Sequence, residues 1–340
     1  MPEGHTIHRL AAALNELYGG QNLHASSPQG RFADGASHLD GQVLLGGQAH
    51  GKHLFLPFGP RPDMPLDDAS VTWLRIHLGL YGSWTFDGDR EFTAPHAIGA
   101  PRRRVGERGE HALKGGGGSA LAGLKGGSVG VDPGEDTERT GADSRGCPAP
   151  DEWEPPEPRG AVRLRLLGRH GVADLTGPAA CELLDAEGVA AVRRRLGPDP
   201  LRPDADVEVF VAKARSRRKS IGELLMDQAV ISGAGNIYRA ETLFRVGVSP
   251  FRAGNRISEE RLRAIWEDLR PLMEYGVATG FITTVDLDDV PDPLPPDDLE
   301  AGRWYVYHRA GRPCLRCGTP VAEREMAARR LFWCPSCQAR

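Results

Sequence analysis

Apolar residues recur at helical spacing near the amino end of the chain, between residues 6 and 18. The positions that share one face are Ile7, Leu10, Leu14, Leu17 and Tyr18. This period predicts an amphipathic helix, and the glycines that follow Tyr18 predict its end. The helix would therefore begin almost directly after the first residues of the chain.

The pattern changes after this helix. From about residue 21 to 100, short apolar runs are broken by glycine, which favours a β-sandwich or barrel. Residues 106–158 combine a glycine-rich stretch with an acidic, proline-rich one, a composition typical of a flexible insert. Strand-like sequence at 161–168 and 171–177 predicts that the β domain then resumes.

A second, helical region is predicted beyond a proline- and aspartate-rich boundary at 196–206. Ser220 and Glu223 have capping-box spacing at the start of IGELLMDQAV, which predicts a helix that ISGAG then ends. Asn236 is expected to cap the following helix, IYRAETLFRVG. Residues 258–275 again show helical spacing of apolar side chains.

Two cysteine pairs lie near the carboxyl end, in the pattern Cys314-x2-Cys317-x16-Cys334-x2-Cys337. Four thiolates at this spacing predict one structural Zn²⁺ with no open coordination position, and the segment between the pairs is long enough for a β-hairpin. Cys147 falls in the predicted insert. Cys181 falls in an apolar stretch that we expect to be helical, and neither is assigned chemistry.

The formal net charge of −4 hides an asymmetry along the chain. Residues 131–158 hold nine acidic and two basic residues, so the rest of the chain carries +3. The basic runs PRRRV at 101–105 and KARSRRKS at 213–220 therefore favour a polyanionic partner more than the total suggests. No signal peptide or apolar run of membrane length is present, which predicts an intracellular, cytoplasmic protein.

Several polar residues are ambiguous when each is taken alone. Pro2 becomes a terminal secondary amine if the initiator methionine is removed, and such an amine is a nucleophile. Glu3 and Lys52 could be ordinary solvated side chains. Leu80 and Tyr81 lie in a glycine-flanked turn that suits either a wedge in a base stack or a core-facing hairpin.

The segment SGAGNIYRAE places Asn236 at the amino end of a helix after a glycine turn. Exposed backbone amides at such an end form a phosphate cradle, and the basic run 213–220 could supply cations. A plain helical hairpin with a solvated basic face is the alternative.

Taken together, Pro2-Glu3, Lys52, the block LLMDQAVISGAGNIYRAETLF and the cysteine module resemble the formamidopyrimidine-DNA glycosylase and endonuclease VIII family. The opening PEGHTIHR resembles the endonuclease VIII branch, and the ending LFWCPSCQ resembles its actinobacterial members. The resemblance implies an α+β multidomain fold. Residues 1–200 would form an N-terminal β-sandwich with flanking helices. Residues 201–285 would form a helix-two-turn-helix domain, and residues 303–340 a C-terminal zinc-finger hairpin.

The resemblance also implies roles for the ambiguous residues. Pro2 would attack C1′ of a damaged nucleotide and Glu3 would protonate the opening deoxyribose. Lys52, Asn236 and Arg329 would clamp phosphates around the everted nucleotide, although Arg330 adjoins Arg329.

The same resemblance assigns the wedge and the partner. Leu80 and Tyr81 would fill the vacated stack, and Gly79 replaces the glutamine that the branch carries before this pair. The implied partner is damaged DNA, whether duplex, bubble or single-stranded, bound by a monomer.

Two other classes of protein compete with a bifunctional glycosylase and abasic-site lyase. A noncatalytic DNA-binding zinc protein would keep the helices and the zinc module but leave Pro2 idle. A terminal-proline tautomerase would use Pro2 as a base and would need neither the zinc nor the phosphate cradle. The combined presence of Pro2, Glu3 and Lys52 favours the enzyme.

Overall fold

A computed structural model describes residues 2–95, 97–99 and 153–339. These residues form two compact units. The sheet unit contains Met1–Pro2 and Thr6–Arg193, and the helical unit contains Glu3–His5 and Arg194–Arg340. Most of the predicted insert, including Cys147, lies outside the described residues. Within the described parts, no helix is long and apolar enough to cross a membrane.

The described residues of the sheet unit form three helices and ten strands. The helices are α1 (Gly4–Tyr18), α2 (Ala33–Leu39) and α3 (Ala186–Arg194). The strands are β1 (Asn22–Ser26), β2 (Gln42–Leu44), β3 (Gln48–His50), β4 (His53–Gly59), β5 (Thr72–His77), β6 (Ser83–Gly88), β7 (Ala97–Gly99), β8 (Val162–Leu167), β9 (Gly171–Thr176) and β10 (Ala180–Leu184). Nine of them follow one antiparallel path, β10-β5-β4-β2-β1-β8-β9-β6-β7, and β3 pairs with β4.

Both ends of this path contribute to one core. Leu54 and Ile76, on β4 and β5, share a buried cluster with Trp84 and Leu175, on β6 and β9. The sheet therefore curves into two layers around common apolar side chains, as the alternating burial of β6 and β8 requires. The predicted helix over 6–18 is confirmed, and its apolar face packs on this core.

Cys181 corrects one expectation. It lies in strand β10, not in a helix, and pairs with Ile76 of β5. The stretch ACELL has too short an apolar run to separate strand from helix, and pairing with an existing edge strand decides the outcome. Burial raises the pKa of the Cys181 thiol to about 12, so the thiol stays protonated at neutral pH.

The helical unit begins at the end of α3 and has four further α-helices. They are α4 (Val207–Arg215), α5 (Ile221–Leu224), α6 (Asn236–Arg245) and α7 (Glu259–Thr279). Short 3-10 helices cover Gly254–Arg256, Leu287–Asp289 and Leu299–Gly302. A separate core joins these helices, with Phe210 of α4, Tyr238 of α6 and Leu269 of α7 among its buried members.

Local signals set most helix ends in this unit. The capping box predicted at Ser220 and Glu223 forms, since the Ser220 amide and hydroxyl donate to the Glu223 carboxylate. The helix it starts is shorter than expected, because α5 ends at Leu224 and turns follow. Ser258 caps α7, and Gly280 ends it with φ +80°.

The carboxyl end carries the expected β-hairpin. Strands β11 (Ala322–Met326) and β12 (Arg329–Trp333) pair through a two-residue turn in which Ala327 and Ala328 both have φ near +55°. The chain thus combines an N-terminal sheet domain, helices and a C-terminal hairpin, and the expected fold class is confirmed.

Candidate active site and zinc centre

Glu3 is fully buried in the helical unit, at the amino end of α6. Its Oε1 accepts the backbone N–H of Ile237 at 2.9 Å. The residue before α6 is Gly235, which has no side chain to accept this bond, and a Cβ there would lie 2.3 Å from Glu3 Cδ. Glu3 thus supplies the missing helix cap through its Oε1.

Asn236 is the first residue of α6, not its cap as expected. The side chain is buried, and its Nδ2 donates to the carbonyl of Arg330 at 2.9 Å. Its Oδ1 accepts from the guanidinium of Arg239, one helical turn later. Asn236 therefore fixes the start of α6 to strand β12.

The sequence patterns did not single out Arg239 as a site residue. Its side chain is fully buried and donates to the carbonyls of Met326, at 3.2 Å, and Arg330, at 3.4 Å. Burial lowers the pKa of this guanidinium to about 10, but it remains charged at neutral pH. The signal available was its position three residues after Asn236, on the same helical face.

The structure separates the two candidate arginines of the hairpin. Arg330 is held by Glu323 on β11, with Nε to Oε1 at 2.9 Å, and lies over the ring of Phe332. Arg329 is exposed and donates to the carbonyl of Ala328 at 2.9 Å. Its positive charge contributes to the lowered pKa of Arg239, after the larger effect of burial.

Lys52 lies in the sheet unit, in the two-residue turn between β3 and β4, where Gly51 has φ +59°. Burial lowers the pKa of His77, and the charges of Lys52 and Arg75 lower it further. The turn therefore belongs to a basic cluster. Arg75 and His77 were also missed; their spacing of two on β5 was the available signal.

Leu80 and Tyr81 lie in the loop between β5 and β6 of the sheet unit. Tyr81 is 64% exposed and Leu80 is partly buried. Gly79 has φ +68°, and a Cβ there would lie 2.8 Å from the Cβ of Ala179. A glutamine at this position would be strained in this loop, which explains glycine in physical terms.

Of the predicted site residues, Glu3, Asn236 and Arg329 fall in the helical unit, while Pro2, Lys52, Leu80 and Tyr81 fall in the sheet unit. Pro2 itself is buried.

Two cations of the basic run 213–220 have partners within the protein. Lys213 donates to the carbonyl of Ala229, and Arg217 pairs with Asp227.

The four terminal cysteines converge on one point. Their Sγ atoms all lie within 4.8 Å of one another, with Cys314–Cys337 at 3.9 Å and Cys317–Cys334 at 3.5 Å. A tetrahedral Zn²⁺ with bonds of ~2.3 Å requires sulfur–sulfur edges of ~3.8 Å. Hydrogen bonds from Thr319 lower the pKa of Cys317 to about 6, which favours the thiolate. The set fits one structural zinc.

Two family models match the chain. The formamidopyrimidine-DNA glycosylase H2TH domain matches residues 196–287. The zinc finger found in FPG and IleRS matches residues 311–340. The first match contains α4 to α7, and the second contains the four cysteines and the hairpin.

Curated relatives extend the match over the sheet unit. Endonuclease 8 1 of Mycobacterium tuberculosis is 37% identical over 341 residues, which cover 99% of this chain and 100% of the relative. The chain belongs to the formamidopyrimidine-DNA glycosylase and endonuclease VIII family. Formamidopyrimidine-DNA glycosylase of Xanthomonas campestris is also 37% identical, over 42% of this chain and 52% of the relative.

Solved structures show the same fold for this family member. A complex between the Lactococcus lactis Fpg and an abasic site containing DNA aligns with a TM-score of 0.62 and 17% identity, covering 99% of this chain and all of the other. MutM in complex with carbocyclic 8-oxo-G containing DNA aligns with a TM-score of 0.64 and 18% identity over both full chains.

Proposed function

We propose that the protein is a DNA glycosylase and abasic-site lyase of base excision repair, which removes oxidised pyrimidines and cleaves the resulting abasic strand. The observation that carries the proposal is the buried Glu3 carboxylate, held by the amide of Ile237 within the segment that matches the glycosylase family. A carboxylate fixed one residue after Pro2 supports joint chemistry by the two residues. The membership of the family supports the substrate class.

Pro2 is the proposed nucleophile once Met1 is removed. An α-amino group titrates near pH ~7.7–8, so a useful fraction is unprotonated at neutral pH. Its lone pair forms a bond to C1′, and the bond between C1′ and the base breaks, so that the base departs with the electron pair and takes up a proton. Loss of the amine proton and opening of the deoxyribose ring then give an iminium ion.

The iminium ion accepts electrons in the steps that follow. Removal of a C2′ proton expels the 3′ phosphate, and loss of a second proton from the sugar expels the 5′ phosphate. Hydrolysis of the iminium ion returns Pro2. This β,δ-elimination needs no redox partner, and the iminium ion of a secondary amine has no N–H whose loss would neutralise it.

Glu3 is the proposed donor of a proton to the ring oxygen. Because Oε1 accepts the N–H of Ile237, the transferable proton belongs on Oε2. The short link between Glu3 and Pro2 allows both residues to act on the same sugar.

The remaining candidates are proposed to bind the DNA backbone and the vacated stack. Lys52 and Arg329 supply positive charge, and Asn236 contributes its amide side chain, around a nucleotide that leaves the duplex for reaction. Leu80 and Tyr81 fill the vacated space, which the exposure of Tyr81 permits. The zinc holds the hairpin that carries Arg329 and takes no part in the chemistry.

The proposed domains follow these roles. Residues 1–200 form the catalytic domain, residues 201–285 the helix-two-turn-helix domain and residues 303–340 the zinc-finger domain. The protein is proposed to act as a monomer at the bacterial nucleoid, on duplex, bubble or single-stranded DNA.

Borohydride trapping tests the proposal. The protein is incubated with abasic-site DNA and sodium borohydride, and peptide mass spectrometry locates the adduct, which is expected on Pro2. Inserting alanine before Pro2 makes the proline nitrogen a tertiary amide, so this variant should lose the Pro2 adduct. Absence of any adduct with the wild-type protein would overturn the Pro2 mechanism and favour a noncatalytic DNA-binding zinc protein. An adduct on another residue would overturn the assignment of Pro2 as the nucleophile.

Excision assays separate a glycosylase from an enzyme that acts only on abasic sites. DNA containing thymine glycol, dihydrouracil or a hydroxylated cytosine should be cut, with phosphate at both new ends as β,δ-elimination requires. Cleavage of abasic DNA alone would identify an abasic-site lyase.

A further inference from the structure

The tripeptide Glu3–His5 belongs to the helical unit, although the residues on either side of it belong to the sheet unit. Its contacts there include one from each of its residues. The Gly4 amide donates to the Gly233 carbonyl at 2.8 Å, Glu3 accepts from Ile237, and the His5 ring packs edge-on against Tyr238 with centroids 5.5 Å apart. Each residue of the tripeptide thus has its own contact.

His5 is buried, with 4% of its surface exposed. Its ring occupies space that Gly276 leaves open on α7. A Cβ on Gly276 would lie 2.6 Å from Tyr238 Oη and 2.9 Å from His5 Cδ2. Glycine inside a helix lowers helix stability by ~1 kcal/mol relative to alanine. The room that the two rings need gives a physical reason for Gly276 in α7 despite this cost.

Tyr238 is itself fixed. Its hydroxyl donates to the Leu272 carbonyl of α7 at 3.4 Å, and burial, together with the negative charge of Glu3, raises the pKa of Tyr238 well above its ordinary value. The phenol therefore remains a neutral donor. Tyr238 follows Ile237 directly, so one turn of α6 contributes both the amide that holds Glu3 and the ring that holds His5.

We infer that His5 is a positioning residue for the reaction proposed above: its ring, packed between Tyr238 and Gly276, holds the first turn of α1 and thereby the carboxylate of Glu3. Because its ring is buried, His5 acts through the backbone of Gly4. The inference rests on the proposed function for its kinetic consequence, but the placement of Glu3 can be measured without activity.

Three variants probe this arrangement. His5→Ala removes the ring, His5→Phe keeps a ring of similar shape, and Gly276→Ala pushes a methyl group against both rings. Displacing a reacting group by about 1 Å can slow a reaction ~10²-fold. His5→Ala and Gly276→Ala should therefore slow single-turnover excision at least tenfold, while His5→Phe should recover most of the rate.

Binding and stability are measured alongside the rate. The Kd for an uncleavable abasic analogue in DNA should change less than twofold in the His5 variants, since the buried His5 ring offers almost no surface to DNA. Phe210→Ala, which removes a buried ring in the core of the same unit, controls for lost stability. It should lower Tm but keep the single-turnover rate at a temperature where the variant is folded.

Hydrogen exchange at the Ile237 amide provides the readout that needs no catalysis. His5→Ala should speed this exchange at least tenfold because the amide loses its acceptor, and His5→Phe should not. A wild-type protein that forms no borohydride adduct would overturn the proposed function and leave this exchange test standing. Unchanged Ile237 exchange in His5→Ala, or a rate loss that Phe210→Ala reproduces, would overturn the inference.

Discussion

Replacing Arg239 by lysine tests the buried connection between α6 and the zinc hairpin. The guanidinium of Arg239 donates to two hairpin carbonyls, those of Met326 and Arg330, and to the side chain of Asn236. An ammonium group has three donors on one atom and cannot reproduce this planar spread. Lysine would therefore leave two of these three acceptors without their donor.

The size of the effect follows from these contacts. A hydrogen bond to a charged group contributes ~1.5–3 kcal/mol, and losing two gives a decrease of ~4 kcal/mol in the free energy of unfolding. For a unit of roughly 150 residues, 1 kcal/mol lowers Tm by ~2–4 °C, so Arg239→Lys should lower it by ~8–16 °C.

The variant should also gain a pH dependence that the wild-type protein lacks. Burial lowers the pKa of Arg239 to about 10, so its charge does not change between pH 7 and 9. A similar effect of burial would lower the pKa of a lysine at this position from ~10.4 to ~8. Between these values the unfolded chain binds more protons than the folded one, so the stability of Arg239→Lys should rise as pH increases from about 8 to about 10.

Scanning calorimetry from pH 7 to 10 measures both effects. Arg270→Lys is the matched control, because Arg270 is exposed and pairs with Glu274 on the same helix. It should change the free energy of unfolding by less than ~0.5 kcal/mol. A Tm for Arg239→Lys within 2 °C of wild type, or one that does not rise relative to the control between pH 8 and pH 10, would refute the reasoning.

Three further changes have defined outcomes. Cys334→Ala should reduce zinc measured by plasma mass spectrometry from one ion per chain to less than 0.2, because three thiolates and no fourth ligand remain. Arg329→Ala should reduce the steepness of log K against log salt for DNA binding by about 1. Arg330→Ala should change this slope less, because the Arg330 side chain already pairs with Glu323. Gly235→Ala should abolish excision while keeping zinc, because the new methyl group would displace Glu3; normal excision by this variant would contradict the described site.

Much of this architecture follows from short-range patterns in the sequence. The α1 period, the capping box at Ser220 and the cysteine spacing each specify local geometry, and the structure contains all three. Local patterns failed where a distant partner decides the outcome. The stretch around Cys181 becomes a strand because β5 offers an edge, and α6 is capped by Glu3 from the other end of the chain.

The buried charges of α6 were equally inaccessible from the sequence. Glu241 is fully buried and accepts the amides of Tyr305, Val306 and Tyr307, a segment more than sixty residues later. Burial raises the pKa of this carboxyl, and the donated hydrogen bonds oppose that change. In the sequence Glu241 resembles any helical glutamate, and only the folded chain shows that it satisfies three backbone donors.

The contacts of α6 connect the candidate chemistry to the candidate clamp. Ile237 holds Glu3, Asn236 one residue earlier holds the carbonyl of Arg330, and Arg329 precedes Arg330 in β12. The proposed reacting carboxylate and the strand that carries the proposed phosphate-binding arginine are thus held by adjacent residues of one helix. The four zinc cysteines are separate from the contact between Ile237 and Glu3, so loss of zinc should weaken DNA binding through Arg329 while Ile237 still holds Glu3. Ile237 exchange measured in Cys334→Ala would distinguish this from general unfolding of the helical unit, in which both properties are lost together.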